Sequence, residues 1–169
     1  MNLKLSSKEK YLIDSLLDDD YGDDKIIIFT QFTKNFKRFA QLMFENGLLK
    51  KTLFLSGDNV SDIEEIKQKF QSNDYQYLFM SPTAQYGVDG LEIANRLIMF
   101  DIVYNPSVYK QTVGRLNRLS SEHSTIFVTN LILNNTIDNK IMKLLNDKEN
   151  LASMSIDGIE SYIFKQVWK

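Results

Sequence analysis

The apolar run Lys25-Ile26-Ile27-Ile28-Phe29 constrains the fold of this chain more than any other segment. A short, almost wholly apolar run is typical of a strand that is buried on both faces of a parallel sheet. Four further segments predict strands by the same pattern: Thr52–Leu55, Tyr77–Met80, Arg96–Phe100 and Thr125–Val128. These strands alternate with helix-length stretches. The alternation predicts right-handed crossovers and a three-layer α/β sandwich around a mainly parallel sheet.

Between the predicted strands, apolar residues recur with helical spacing. One face of the first helix is predicted to hold Phe32, Phe36, Phe39, Ala40 and Met43, and Gly47 ends that helix. Ser61 is predicted to cap a helix that runs to Phe70. Residues 6–17 predict an N-terminal helix, and we interpret the acidic residues 18–24 as a solvated linker. Beyond the last strand we expect two C-terminal helices, the second from about Ile156 to Trp168.

Composition narrows the classes of protein and of site. The 169 residues fit one domain, and a hydrophobic share of 43% is that of a globular protein. The chain has no cysteine and one histidine, His123, so we predict no metal site built from this chain. A net charge of −2 argues against a surface coated in basic charge. We expect no membrane partner and an intracellular location, in the cytoplasm of a bacterium or infected host, with the nucleus not excluded.

Ligands of open α/β sheets bind in loops beyond the carboxyl ends of the strands. Three such loops stand out, at Thr30–Thr33, Ser81–Leu91 and Asp101–Pro106. The last leads into a helix on which Gln111, Arg115 and Arg118 share one stripe, while a neighbouring stripe of Val108, Thr112, Leu116 and Leu119 can face the sheet. Two guanidinium groups beside an amide suit a cluster of phosphates. The alternative is a surface helix whose arginines pair with acidic residues.

The order of these segments resembles that of the Swi/Snf-related ATPases of helicase superfamily two. Ile26–Thr33 resembles motif IV, Ser81–Leu91 resembles motif V, and Gln111–Arg118 matches the Q-x-x-x-R-x-x-R core of motif VI. The segments Ala94–Asp101, Tyr104-Asn105-Pro106 and Thr136–Ile141 are also similar to their counterparts. The resemblance implies a RecA-like C-terminal lobe of the P-loop NTPase type over residues 25–147. Residues 1–24 then form an N-terminal helix and linker, and residues 148–169 a helical extension.

The resemblance also implies roles for single residues. Arg118 corresponds to an arginine finger and Arg115 to its neighbour on the triphosphate, while Gln111 orients both or bridges to the nucleotide. Gly87 lets the backbone approach the nucleotide closely, and Asp89 accepts from a ribose hydroxyl or locks an arginine. The nucleic-acid side, with double-stranded DNA as the expected partner, comprises Thr30, Gln31, Ser56, Gly57, Ser81 and Thr83.

Half of an ATP site is missing from the sequence. It contains no G-x-x-x-x-G-K-[ST] phosphate loop and no Asp-Glu pair at the end of a buried strand for Mg²⁺. ATP and Mg²⁺ are therefore expected to bind only with an N-terminal RecA-like lobe, from the same longer protein or another subunit, and the isolated chain is expected to be inactive. One alternative is a non-catalytic RecA-like module that binds protein or nucleic acid. Another is an unrelated α/β nucleotide-binding domain, which the missing phosphate loop disfavours.

Overall fold

The computed structural model describes residues 4–18, 21–82, 90–103, 105–114, 116, 123, 125–152 and 162–167. Its centre is a sheet of six parallel strands in the order β2-β3-β1-β4-β5-β6. The strands are β1 Ile26–Phe29, β2 Thr52–Leu55, β3 Tyr77–Met80, β4 Arg96–Met99, β5 Phe127–Leu133 and β6 Tyr162–Val167. All five predicted strands are therefore confirmed, with ends that shift by a few residues.

Among the described residues, five α-helices accompany the strands: α1 Ser7–Leu17, α2 Phe36–Glu45, α3 Ile63–Gln71, α4 Pro106–Gly114 and α5 Ile137–Ala152. They form two layers because the sheet has two apolar faces. Alternate strand residues such as Ile26 and Ile28 pack with α1 and α2. The residues between them, such as Ile27 and Phe29, pack with α3, α4 and α5. Every residue of β1 is fully buried, as its apolar run predicts, and the predicted three-layer α/β architecture is confirmed.

The amino-terminal segment belongs to this packing. Leu12, Ile13 and Leu16 of α1 lie in the same apolar cluster as α2. The interpretation of residues 18–24 as a solvated linker is wrong for Asp24. Its carboxylate lies 2.6 Å from Nε of Arg96 and also accepts a hydrogen bond of 2.9 Å from Asn95. This ion pair ties the end of the segment to the start of β4.

Three local predictions are corrected. Phe32 is not on the buried face of α2, because a 3₁₀ turn at Thr33–Asn35 precedes that helix and leaves Phe32 49% exposed. Ser61 does not cap α3, because the chain forms a 3₁₀ turn over Gly57–Asp62 and the helix starts after Asp62 without a side-chain cap.

The third correction concerns the carboxyl-terminal region. The helix predicted from Ile156 to Trp168 is wrong over Tyr162–Val167, which form β6 and pair in parallel with β5. The helix α5 runs from Ile137 to Ala152, so it continues through the boundary predicted between residues 147 and 148. The remaining residues of the predicted second helix, 156–161 and 168, lie outside the described residues.

Candidate functional site

The parallel sheet brings the turns that follow β1, β2, β3 and β4 to one edge, at the carboxyl ends of these strands. Of the predicted site residues, the structure describes Thr30, Gln31, Ser56, Gly57, Ser81 and Gln111. It places the first five in turns along this edge and Gln111 on α4, which follows β4. The other predicted site residues lie outside the described residues; they are Thr83, Gly87, Asp89, Arg115 and Arg118.

The turns after β1 and β4 are joined by hydrogen bonds. The carboxylate of Asp101 accepts one from the Thr30 hydroxyl at 2.5 Å and one from the backbone amide of Gln31 at 3.1 Å. The Gln31 side chain then donates to the carbonyl of Ile102 at 2.7 Å. Asp101 thus organises the turn that resembles motif IV, a role that the sequence analysis did not assign to it. The sequence feature that could have identified Asp101 is its place directly after the predicted buried strand Arg96–Phe100.

Burial separates the predicted nucleic-acid residues into two groups. The side chains of Thr30 and Ser81 have no exposed surface, and the Thr30 hydroxyl is already bonded to Asp101. Gln31 is partly exposed and Gly57 is exposed. A phosphate at this edge would meet Gln31 and Gly57 directly, whereas Thr30 and Ser81 lie beneath the surface that it would contact.

A local hydrogen-bond network shapes the turn after β2. The side-chain oxygen of Asn59 accepts from the Ser56 backbone amide at 2.7 Å, and its amide donates to the Phe54 carbonyl at 2.9 Å. The Ser56 hydroxyl lies 3.3 Å from the same Asn59 oxygen. The backbone amide of Ser56 is thus used within the turn, and the exposed part of this turn begins at Gly57.

The helix α4 lies against the sheet on one defined face. Tyr109, Thr112 and, just beyond the helix, Leu116 are almost completely buried, which confirms two members of the predicted sheet-facing stripe. Asn130 of β5 is fully buried, and its side-chain amide donates to the Tyr109 hydroxyl at 3.1 Å. Gln111 is exposed, as expected for a residue on the stripe next to the sheet-facing one.

A shielded ion pair supports the same edge from the α1 side. Nζ of Lys8 lies 2.6 Å from the Asp138 carboxylate and donates to the Phe100 carbonyl at 3.2 Å. The same Asp138 oxygen accepts from the backbone amide of Leu133 at 3.1 Å. Lys8 therefore joins the first helix, the end of β4 and the start of α5.

The described residues contain neither a metal-binding cluster nor a membrane-spanning helix. No three or more His, Cys, Asp or Glu side chains lie together there in a way that would hold a metal ion. Within the same residues, none of the helices combines the length and the apolar character needed to cross a membrane.

Comparison with known proteins identifies the family of the chain. The model of the helicase conserved C-terminal domain matches residues 7–120. The chain is 30% identical over 138 residues to the DNA repair protein rhp54 of Schizosaccharomyces pombe, covering 80% of this chain and 16% of the relative. It is 28% identical to a RAD54-like DNA repair and recombination protein of Drosophila ananassae (83% and 18% covered) and 26% identical to the chromatin-remodeling ATPase INO80 of Candida albicans (94% and 12% covered). The chain thus spans less than a fifth of the length of these relatives.

Solved structures give the same result. The C-terminal part of the Fun30 ATPase domain superposes with a TM-score of 0.71 at 26% identity, covering 82% of this chain and 44% of that one. The Escherichia coli DEAD-box protein SrmB superposes with a TM-score of 0.63 at 15% identity, covering 96% and 83%, and this likeness concerns the fold alone. The chain belongs to the helicase conserved C-terminal domain family, and its relatives are Swi/Snf-related ATPases of helicase superfamily two.

Proposed function

We propose that this chain is the second motor lobe of a nucleic-acid-stimulated ATPase that moves along double-stranded DNA. In this proposal a first RecA-like lobe, in the same longer protein or in another subunit, completes the ATP site. The family match and the short span of the relatives that the chain covers support the division into lobes. The orientation of α4 carries the proposal, because its buried stripe fixes which side of the helix is free to meet a nucleotide.

The nucleotide side of the proposal starts from Gln111, which is exposed on α4 at the start of the family's motif VI. Arg115 and Arg118 follow it by four and seven residues in the sequence. A guanidinium group offers paired donors to phosphate oxygens, so these two residues suit charge that develops on the γ-phosphate during hydrolysis. We assign Arg118 as the arginine finger, Arg115 as its neighbour on the triphosphate, and Gly87 and Asp89 as further nucleotide contacts.

Mg²⁺, when bound with ATP, neutralises charge on the phosphates. Because the described residues contain no cluster of carboxylates, we assign none of them to the metal. Its ligands and the phosphate loop are expected on the first lobe.

The nucleic-acid side of the proposal uses the exposed parts of the turns after β1 and β2. Gln31 offers a side-chain amide, and Gly57 offers a backbone that no side chain of its own covers. Both groups suit a phosphate, and neither reads a base. Ser56, Thr30 and Ser81 support these turns from below. Thr83 completes the set by its place in the motif V segment.

The test is the steady-state ATPase activity of the two-lobed parent enzyme, with and without duplex DNA. Arg118→Ala is expected to lower kcat by about 1,000-fold, within the range known for arginine fingers, while ATP binding changes far less. Arg118→Lys should not restore the rate, because lysine lacks the planar fork. Lys110→Ala is the matched control, since it removes an exposed cation from α4, the helix that precedes Arg118 in the sequence.

The isolated chain supplies the second arm of the test. It should hydrolyse no ATP above background, and Arg118→Ala should leave its melting temperature nearly unchanged. Turnover by the isolated chain that depends on Arg118 would overturn the division into lobes. Normal turnover of the Arg118→Ala parent enzyme would overturn the arginine-finger assignment. A parent protein that hydrolyses no ATP would favour the alternative, a RecA-like module that only binds protein or nucleic acid.

A further inference from the structure

In an open parallel sheet, a crevice forms where neighbouring strands send their connections to opposite faces. β1 and β4 are such neighbours: the chain leaves β1 for α2 on one face and leaves β4 for α4 on the other. Here the crevice is bridged by the side chain of Asp101, which accepts from Thr30 and from the backbone of Gln31. The Gln31 side chain adds a second bridge, to the carbonyl of Ile102.

The segment that carries Asp101 is held on its other sides as well. The Phe100 amide donates to the Phe29 carbonyl at 2.9 Å, and the Phe100 carbonyl accepts from Lys8. Ile102 and Val103 are each only 4% exposed. The two residues belong to the same buried apolar cluster as Tyr109 of α4, which joins this segment to that helix.

We infer that Asp101 is a positioning residue that couples the nucleic-acid turn at Thr30–Thr33 to α4, the helix that carries the proposed nucleotide contact Gln111. This inference rests on the proposed function of the two surfaces. Asp101 lies five residues before Pro106, where α4 begins, and it accepts from the backbone amide of the partly exposed Gln31. Nucleic acid bound at Gln31 changes the position of the turn after β1. The hydrogen bonds to Asp101 transmit this change to the turn after β4, and that turn leads into α4.

The charge of Asp101 determines the strength of this link. The same carboxylate oxygen accepts both hydrogen bonds, from the Thr30 hydroxyl and the Gln31 amide. Hydrogen bonds to an ionised acceptor are roughly twice as strong as bonds between neutral groups. Asparagine retains an acceptor oxygen without the charge, and alanine removes the acceptor. The two substitutions therefore form a graded series.

The first experiment measures how strongly duplex DNA stimulates the ATPase of the two-lobed parent enzyme. Asp101→Ala should lower the stimulation factor by about fivefold or more, the lower bound for coupling between two sites. The rate without DNA should change by less than about twofold, and Asp101→Asn should lie between alanine and wild type. Asp14→Ala is the matched control, because Asp14 is an exposed acid on α1, outside the turns of the proposed nucleic-acid surface.

The second experiment uses the isolated chain and follows hydrogen exchange of the Gln31 amide by NMR. Asp101→Ala should speed this exchange and Asp14→Ala should not. If Asp101→Ala does not fold, Asp101→Asn supports both measurements. An unchanged stimulation factor, or a parallel fall of the rates with and without DNA, would overturn the coupling. A wild-type enzyme that DNA does not stimulate would instead overturn the proposed function, which separates the two failures.

Discussion

The ion pair between Lys8 and Asp138 offers a direct test of how this fold is held at its carboxyl edge. Their side chains are only 10% and 17% exposed, and the charged atoms lie 2.6 Å apart. Replacing Lys8 by methionine keeps most of the side-chain volume and removes the charge. Asp138 would then keep the Leu133 amide as a donor, and the Phe100 carbonyl would lose its bond to Lys8.

Removing one partner from a buried ion pair typically costs about 3 to 5 kcal/mol of unfolding free energy. We expect the lower end, about 3 kcal/mol, because both side chains keep some contact with water and Asp138 retains one donor. For a domain of this size each kcal/mol corresponds to about 2 to 4 °C in melting temperature. Lys8→Met should therefore lower the melting temperature of the chain by about 6 to 12 °C.

The assay is thermal and urea denaturation of the purified chain, followed by circular dichroism. Lys69→Met is the matched control, because the Lys69–Glu65 pair has the same 2.6 Å separation but side chains that are 45% and 66% exposed. Such a pair contributes little, so no resolvable shift is expected. The double variant Lys8→Met with Asp138→Leu should recover part of the loss, since it leaves no unpaired charge. If Lys8→Met and Lys69→Met have the same melting temperature, shielding from water does not determine how much the Lys8–Asp138 pair stabilises the fold.

Two further predictions concern α1 and the turn before β4. Burial alone raises the pKa of Glu9, but the hydrogen bonds from Arg38 and from Ser6 outweigh it and lower the pKa below its ordinary value of 4.5. The ionised Glu9 therefore stabilises the fold above pH 4.5, and this stabilisation is lost as the pH falls through the lowered pKa. In urea denaturation, the unfolding free energy of the wild type should fall more steeply with acid than that of Glu9→Gln. Parallel curves would contradict this. Gly90→Ala should cost about 1 to 2 kcal/mol, because Gly90 has φ +94° and a Cβ there would lie 3.1 Å from the Lys67 side chain. Gly114→Ala, with open space around it, should be neutral or stabilise by up to about 1 kcal/mol, and equal losses for the two variants would refute the backbone argument.

The sequence predicted the strands well because their burial leaves a local pattern. The four residues of β1 and of β3 are apolar throughout and buried on both faces. β6 was missed because it carries Lys165 and Gln166 and pairs with one strand at the sheet edge. Short runs of this kind do not separate strand from helix by periodicity.

The contacts that organise the candidate site, and the one that ties residue 24 to the sheet, could not be predicted, because they join residues far apart in the chain. Asp101 meets Thr30 across 71 positions, and Asp24 meets Arg96 across 72. Neither contact leaves a signal in local periodicity, since both depend on the order of strands in the sheet. The sheet-facing stripe of α4 could be predicted from the sequence, because it depends only on helical spacing.

The packing of α4 explains why the exposed stripe of this helix is free to serve a ligand. The rotation of the helix is set from its other side, by the buried Thr112 and by the hydrogen bond between Tyr109 and Asn130. Thr112 also donates to the Val108 carbonyl at 2.8 Å, which satisfies its hydroxyl within the helix. Folding therefore makes no demand on the identity of the exposed Gln111. We therefore expect a substitution of Gln111 to leave the fold intact, and a change at Tyr109 or Asn130 to disturb the rotation of α4.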